Sequence, residues 1–93
     1  MANTTYFTQA TVNSTSFSGC AISWSFASSS IMLVNTGSVN ILYSFDGVNT
    51  AGIINPSFMS GIVMDNLTQS NIWLALAGLG GSAVVYVTAW CGN

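Results

Sequence analysis

The chain has 93 residues, room for one domain and one core, and 51% of them are apolar, which argues against disorder. It contains no Lys, no Arg and no His, and its only acidic side chains are Asp46 and Asp65, for a net charge of −2. That composition leaves nothing to neutralise nucleic-acid phosphates or anionic lipid, removes Ser-His-Asp and Cys-His catalysis, and leaves zinc only two cysteines and two distant aspartates. A structural or binding protein is expected, not an enzyme, with no cofactor, no metal, no nucleic-acid partner and no membrane partner.

So few charges give copies of the chain little mutual repulsion. Two readings follow. The surface is either a neutral one of Ser, Thr, Asn and Gly that is simply soluble, or that of a subunit whose natural state is a homo-oligomer or larger assembly. The opening Met1-Ala2-Asn3-Thr4-Thr5-Tyr6 has neither a basic n-region nor an apolar h-region, so synthesis in the cytoplasm is expected. The Asn-X-Ser/Thr triplets at Asn3, Asn13 and Asn66 carry little weight in a chain this rich in those residues.

Apolar periodicity predicts strands almost throughout. Residues 1–15 read as an N-terminal arm or edge strand, with Tyr6 to Val12 extended. Phe17 to Phe26 alternates, placing Cys20, Ile22, Trp24 and Phe26 on one face, and Ser28-Ser29-Ser30 breaks it. Ile31 to Val34 is a continuous apolar run, fit for a strand covered on both faces. After the turn chemistry of Asn35 to Ser38, Val39 to Phe45 alternates again, and Asp46-Gly47 is a strong turn signal. Thr50 to Asn55 and Gly61 to Met64 are short strands, the first ended by Pro56. Asn71 to Ala77 and Ala83 to Cys91 are expected to pair as a hairpin turned by Gly80 and Gly81. Turn signals every 8–12 residues or so are those of a sandwich or barrel. The expected fold is therefore all-β: one antiparallel β-sandwich of about seven or eight strands over residues 16–93, jelly-roll-like.

A rival reading treats residues 72–91 as a membrane span, uncharged, with Trp73 and Trp90 near its ends. The glycines at its middle and the alternation of both halves favour two strands. Cys20 and Cys91 admit two readings: a disulfide closing a long loop, worth about 3–4 kcal/mol, or two buried, reduced thiols acting as small apolar residues. Asp46 and Asp65, with Asn49 and Asn66 nearby, are conceivable calcium ligands, but each begins a turn in which a short acceptor bonds its own backbone. Gly78 to Gly81 lacks the Lys of a phosphate loop. Trp24, Trp73, Trp90, Tyr6, Tyr43 and Tyr86 form a carbohydrate platform only if two rings lie exposed and coplanar; core packing is the alternative.

From Ile31 to Trp90 the order of short motifs resembles small virion proteins of tailed bacteriophages. These have a strand ending in Asn-Thr-Gly, here Asn35, Thr36 and Gly37. A strand closing on Tyr43, Ser44, Phe45, Asp46 and Gly47 follows, then Pro56, an Ile72-Trp73 strand and a final strand ending in Ala89-Trp90. The resemblance implies a β-sandwich subunit of the particle: a capsid decoration (cement) protein, or part of a head fibre or tail. It also implies other virion proteins as partners, the major capsid protein foremost, and a homo-oligomer such as a trimer. The Asn3 to Thr15 arm, opening with Asn3, Thr4, Thr5, Tyr6 and Phe7, is the part expected to reach a neighbour by strand addition at an exposed edge. The sequence departs from that family in lacking its scattered Lys and Arg, which puts salt-bridged interfaces in doubt.

Overall fold

The computed structural model describes residues 4–56, 61–78 and 81–91. Within them the chain forms β1 (Thr4–Val12), a 3-10 turn (Phe17–Gly19), β2 (Ala21–Asn35), β3 (Ile41–Ser44), β4 (Gly52–Ile54), β5 (Gly61–Leu76) and β6 (Ala83–Cys91). All ladders are antiparallel, and the strand order is β1-β6-β2-β5-β3-β4. All eight predicted strand segments are represented, except that the start of the second, Phe17–Gly19, is a 3-10 turn and its strand begins at Ala21. The count falls to six because β2 and β5 each run through two of them.

The register shows what those long strands do. Residues 30–35 of β2 lie between β6 and residues 61–65 of β5, and β1 flanks β6: one four-stranded sheet. Residues 21–23 of β2 pair with residues 71–73 of β5, which also pairs with β3, and β3 with β4: a second sheet. Taken as eight segments in chain order, the first sheet reads 1-8-3-6 and the second 2-7-4-5, the interleaving of a jelly roll. The antiparallel jelly-roll expectation is met, with β2 and β5 passing from one sheet to the other.

Two irregularities, between Ser23 and Ser28 and between Ser28 and Ser30, let β2 make this passage. They flip the face that points inward: Ile22 and Trp24 are buried before the corner, Ile31 and Leu33 after it. A bulged ladder leaves backbone groups short of partners. Here the serine hydroxyls act as local donors: Ser28 Oγ to the Gln69 carbonyl at 2.9 Å, Ser29 Oγ to the Trp90 carbonyl at 3.4 Å, and Ser30 Oγ to Asp65 Oδ1 at 2.8 Å. The serine run that reads as a break is a corner inside one strand.

The core fills the space between the sheets. Val12, Ile31, Leu33, Val85 and Val87 enter from the first sheet, and Ile22, Ile41, Ile72, Leu74 and Leu76 from the second. Tyr6 of β1 stacks on Trp24 of β2 across this gap, ring centroids 5.5 Å apart. In the Ile31 to Val34 run, Ile31 and Leu33 are fully buried while Met32 and Val34 are half-covered on the outer face.

The predicted hairpin of 71–77 with 83–91 is not formed. β5 beyond Asn71 pairs with β3 and the start of β2, whereas β6 pairs with β1 and the end of β2, so the two lie in opposite sheets. The glycine-rich connection crosses between sheets, with Gly81 at φ +89°. Its companion Gly80 lies outside the described residues. The uncharged 72–91 stretch is divided between two strands, and no helix of the described residues is long and apolar enough to cross a membrane.

Candidate functional site

Two of the sequence motifs build hydrogen-bonded turns, each with its own local structural cause. The first is the turn after β2. Asn35 is only 1% exposed, and its side chain is fully used. Oδ1 accepts from the Gly37 amide at 2.9 Å, while Nδ2 donates to the Val39 carbonyl at 2.8 Å and to the Ile54 carbonyl at 3.1 Å. One amide thus closes the turn and ties β4 of the second sheet to the end of the first. Thr36 adds its backbone amide and hydroxyl to the Val84 carbonyl, at 3.0 and 2.7 Å. Gly37 has to be glycine: a Cβ there would stand 2.4 Å from the Ala83 Cβ and 2.9 Å from its Cα.

This turn forms one wall of a cleft of about 510 Å³, lined by Val34, Asn35, Thr36, Gly37, Ser38, Pro56 and Tyr86. Asn35, Thr36, Gly37 and Pro56, widely spaced in the sequence, therefore meet at one place. Tyr43, Ser44, Phe45, Asp46 and Gly47 do not join them, nor do Ile72 and Trp73 or Ala89 and Trp90. The first group builds the β3–β4 connection. Ile72 and Ala89 are core residues, and Trp90 is half-buried.

In the β3–β4 connection the Asp46-Gly47 signal sits inside a wider loop than a two-residue hairpin, since the last ladder pair is Tyr43 with Gly52. Buried Ser44 Oγ accepts from the amides of Asp46 (3.3 Å) and Gly47 (3.0 Å) and donates to Asp46 Oδ1 (2.9 Å). Oδ1 also accepts from the amides of Val48 and Asn49, each at 2.8 Å, and Oδ2 accepts from Asn49 Nδ2 at 2.8 Å. Gly47, at φ +78°, lies so close over Trp73 that a Cβ would be 3.0 Å from the indole Cε2. Asp46 is thus a loop organiser.

The donors from Asn49 and Val48, then the Ser44 hydroxyl, hold the Asp46 carboxyl far below the usual carboxylate range. With the native pKa depressed, the unfolded chain binds the proton first, so stability from this group is complete above the ordinary carboxylate range and is lost as pH falls toward the native value. Asp46→Asn is expected to flatten the acid limb of the urea midpoint plotted against pH, leaving the neutral-pH fold intact. An unchanged acid limb refutes this role.

The outer face of the first sheet is open to solvent. Its rows follow from the register: Phe7, Thr88, Met32 and Val63 stand side by side, and next to them Gln9, Tyr86 and Val34. Phe7 is 53% exposed, Val63 56% and Tyr86 37%. Phe7 meets Tyr86 edge to face, centroids 5.8 Å apart at 75°. The face runs into the cleft through Val34 and Tyr86. Its one acid is Asp65, taken up by the Ser30 hydroxyl.

The remaining expectations can be placed. Thr4 to Val12 form the edge-strand alternative, paired residue by residue with β6. Thr4, Thr5, Tyr6 and Phe7 therefore belong to the sheet and not to a free arm, and Asn3 lies outside the described residues. The candidate disulfide is not formed; both thiols are free. Trp24 stacks on Tyr6, whose ladder partner is Ala89. From that level Cys20 is four residues toward one end and Cys91 two toward the other. This is an offset of about 20 Å along the strands, far beyond the ~7 Å Cα separation a disulfide tolerates. Burial pushes the Cys20 thiol above its ordinary pKa, which keeps it protonated and inert at neutral pH. Of the aromatic rings considered as a sugar platform, Trp24 is buried and Trp73 lies beneath Gly47, while Tyr86 is met edge-on by Phe7. Among the described residues no three of His, Cys, Asp and Glu cluster as a metal site would need.

The residues that sequence reasoning missed are Asn35 and Ser44 as buried hydrogen-bond hubs and the outer face as a surface. The face left a trace in the alternation of Thr5, Phe7, Gln9 and Thr11, which places Phe7 among polar neighbours. A scan of protein-family models and a search of curated proteins both return no match to this chain.

Proposed function

We propose that the protein is a structural subunit of a bacteriophage virion, a capsid decoration protein that binds in many copies to the shell. The observation that carries this reading is the outer face of the first sheet, where Phe7, Val63 and Tyr86 are exposed among hydroxyl and amide side chains with no cation present. A surface of that kind makes contacts by apolar packing and neutral hydrogen bonds, with little dependence on ionic strength. The jelly roll fits the reading by analogy of fold alone, since viral capsid proteins, lectins and cupins share it. The mechanism is passive. Copies seated across joints between shell subunits, the major capsid protein being the partner, bind only the assembled state and stabilise it by mass action.

The test is intact-mass spectrometry of density-purified particles kept unreduced, because a chain without Lys or Arg yields no tryptic peptides. The expected result is this chain in stoichiometric amount, at the mass of two free thiols. Its absence from particles while abundant in the lysate sinks the proposal.

A further inference from the structure

Each sheet of a sandwich has two edge strands, and an open edge is a template for another chain unless something guards it. Three of the four edges here are guarded. β4 is three residues long and is followed by Pro56. The outer part of β5 carries Asp65. The outer part of β2 ends in the irregular corner at Ser23 to Ser30. β1 has no such device. Its nine residues, Thr-Thr-Tyr-Phe-Thr-Gln-Ala-Thr-Val, include no Pro, no Gly and no charge. Its register with β6 is unbroken from Thr4 with Cys91 to Val12 with Ala83. Among the described residues, no hydrogen bond is made to its outer side.

We infer that β1 is a self-association edge, where a second copy of this chain adds its own β1 antiparallel to the first and joins two four-stranded sheets into one of eight. The occupant is a second copy because the edge is self-complementary. An antiparallel pair of identical strands closes on a two-fold axis and satisfies both rows of main-chain groups at once. Nothing opposes the approach, for β1 is uncharged and the chain holds two acids in all. Phe7, exposed at the rim of the sheet, is the side chain such a neighbour covers.

The dimensions suffice. Nine residues at about 3.4 Å make a strip roughly 30 Å long. A specific interface buries about 1,000 Å² in total, so each copy must cover a band about 17 Å across. The ~10 Å depth of a sheet layer supplies most of that band, and the Phe7–Tyr86 pair beside the edge extends it.

The inference concerns the free protein and stands apart from the virion proposal. Sedimentation velocity of the whole chain from 1 to 100 μM, with hydrogen exchange read at both ends of the range, decides it. The expected result is a monomer–dimer equilibrium in which the β1 amides, and no others, gain protection at high concentration. Thr5→Lys with Gln9→Lys, at two exposed positions, installs the guard that natural edges use and sets ammonium groups across the junction. It is expected to weaken the dimer by at least about tenfold with the circular dichroism unchanged. A protein monomeric at 100 μM overturns the inference. So does a trimer, which this edge cannot close, or a dimer that resists both lysines or gains its protection on another strand. If the lysine variant unfolds, the exchange pattern of the unsubstituted chain decides alone.

Discussion

Asn35→Ala is expected to lower the unfolding free energy by about 3 kcal/mol, read as a drop in the urea midpoint at unchanged slope. The side chain is all but sealed from solvent and makes three hydrogen bonds, to the Gly37 amide and to the carbonyls of Val39 and Ile54. Alanine leaves those three groups without partners in a place where water does not replace them easily, at about 1 kcal/mol each. Asn35→Asp is expected to be worse at neutral pH. It keeps the acceptor for Gly37 but sets a buried anion against two carbonyl oxygens that had been receiving hydrogen bonds. Acid should partly rescue it, because a protonated carboxyl donates once and carries no charge. A loss of less than 1 kcal/mol in Asn35→Ala, or an aspartate variant that gains stability with rising pH, contradicts the role given to Asn35.

Leu33→Ala carries the other large effect, an expected loss of about 2–5 kcal/mol. Leu33 is fully buried on β2, where that strand is clasped between β6 and β5, Val87 beside it on one hand and Ile62 on the other. Strands held on both sides cannot collapse into the space an absent isobutyl group leaves, so the cavity term adds to the transfer term. Against a total stability of about 5–15 kcal/mol, such a loss is a large share of the whole. Thermal unfolding followed by tryptophan fluorescence measures it. A shift in midpoint under about 5 °C is too small for the core position assigned here.

Much of this fold was legible from side-chain alternation. Cys20, Ile22, Trp24 and Phe26 do share the inward face, and Val85 and Val87 do oppose Val84, Tyr86, Thr88 and Trp90. Pairing was less legible than faces. Alternation says which side of a strand is apolar and nothing about which strand lies alongside. Nearness in sequence therefore points to 71–77 and 83–91 as partners, whereas the jelly roll sends them to opposite sheets. The Ser28–Ser30 corner misled for a related reason: three serines look like loop, yet their hydroxyls supply the hydrogen bonds that let a bent strand continue. The burial of Asn35 and Ser44 is not legible in the sequence, because polar residues in turn-forming segments are ordinarily exposed. Their burial depends on Ile54 and on the Gly47–Trp73 contact, partners distant in sequence. The cleft joins Asn35 to Pro56 and Tyr86 and was beyond reach for the same reason.

The pairing of β1 with β6 also governs how the chain reaches this structure. Residues 4–12 find their hydrogen-bond partners only at residues 83–91, nearly eighty positions later. Until that stretch leaves the ribosome, β1 has no sheet to join and the first sheet lacks two of its four strands. Loop closure over most of the chain must precede the contacts that reward it, so refolding belongs in the slow, millisecond-to-second range of non-local β topologies. During that interval β1 exposes both of its edges instead of one, and newly made chains are at their most adhesive before they are complete.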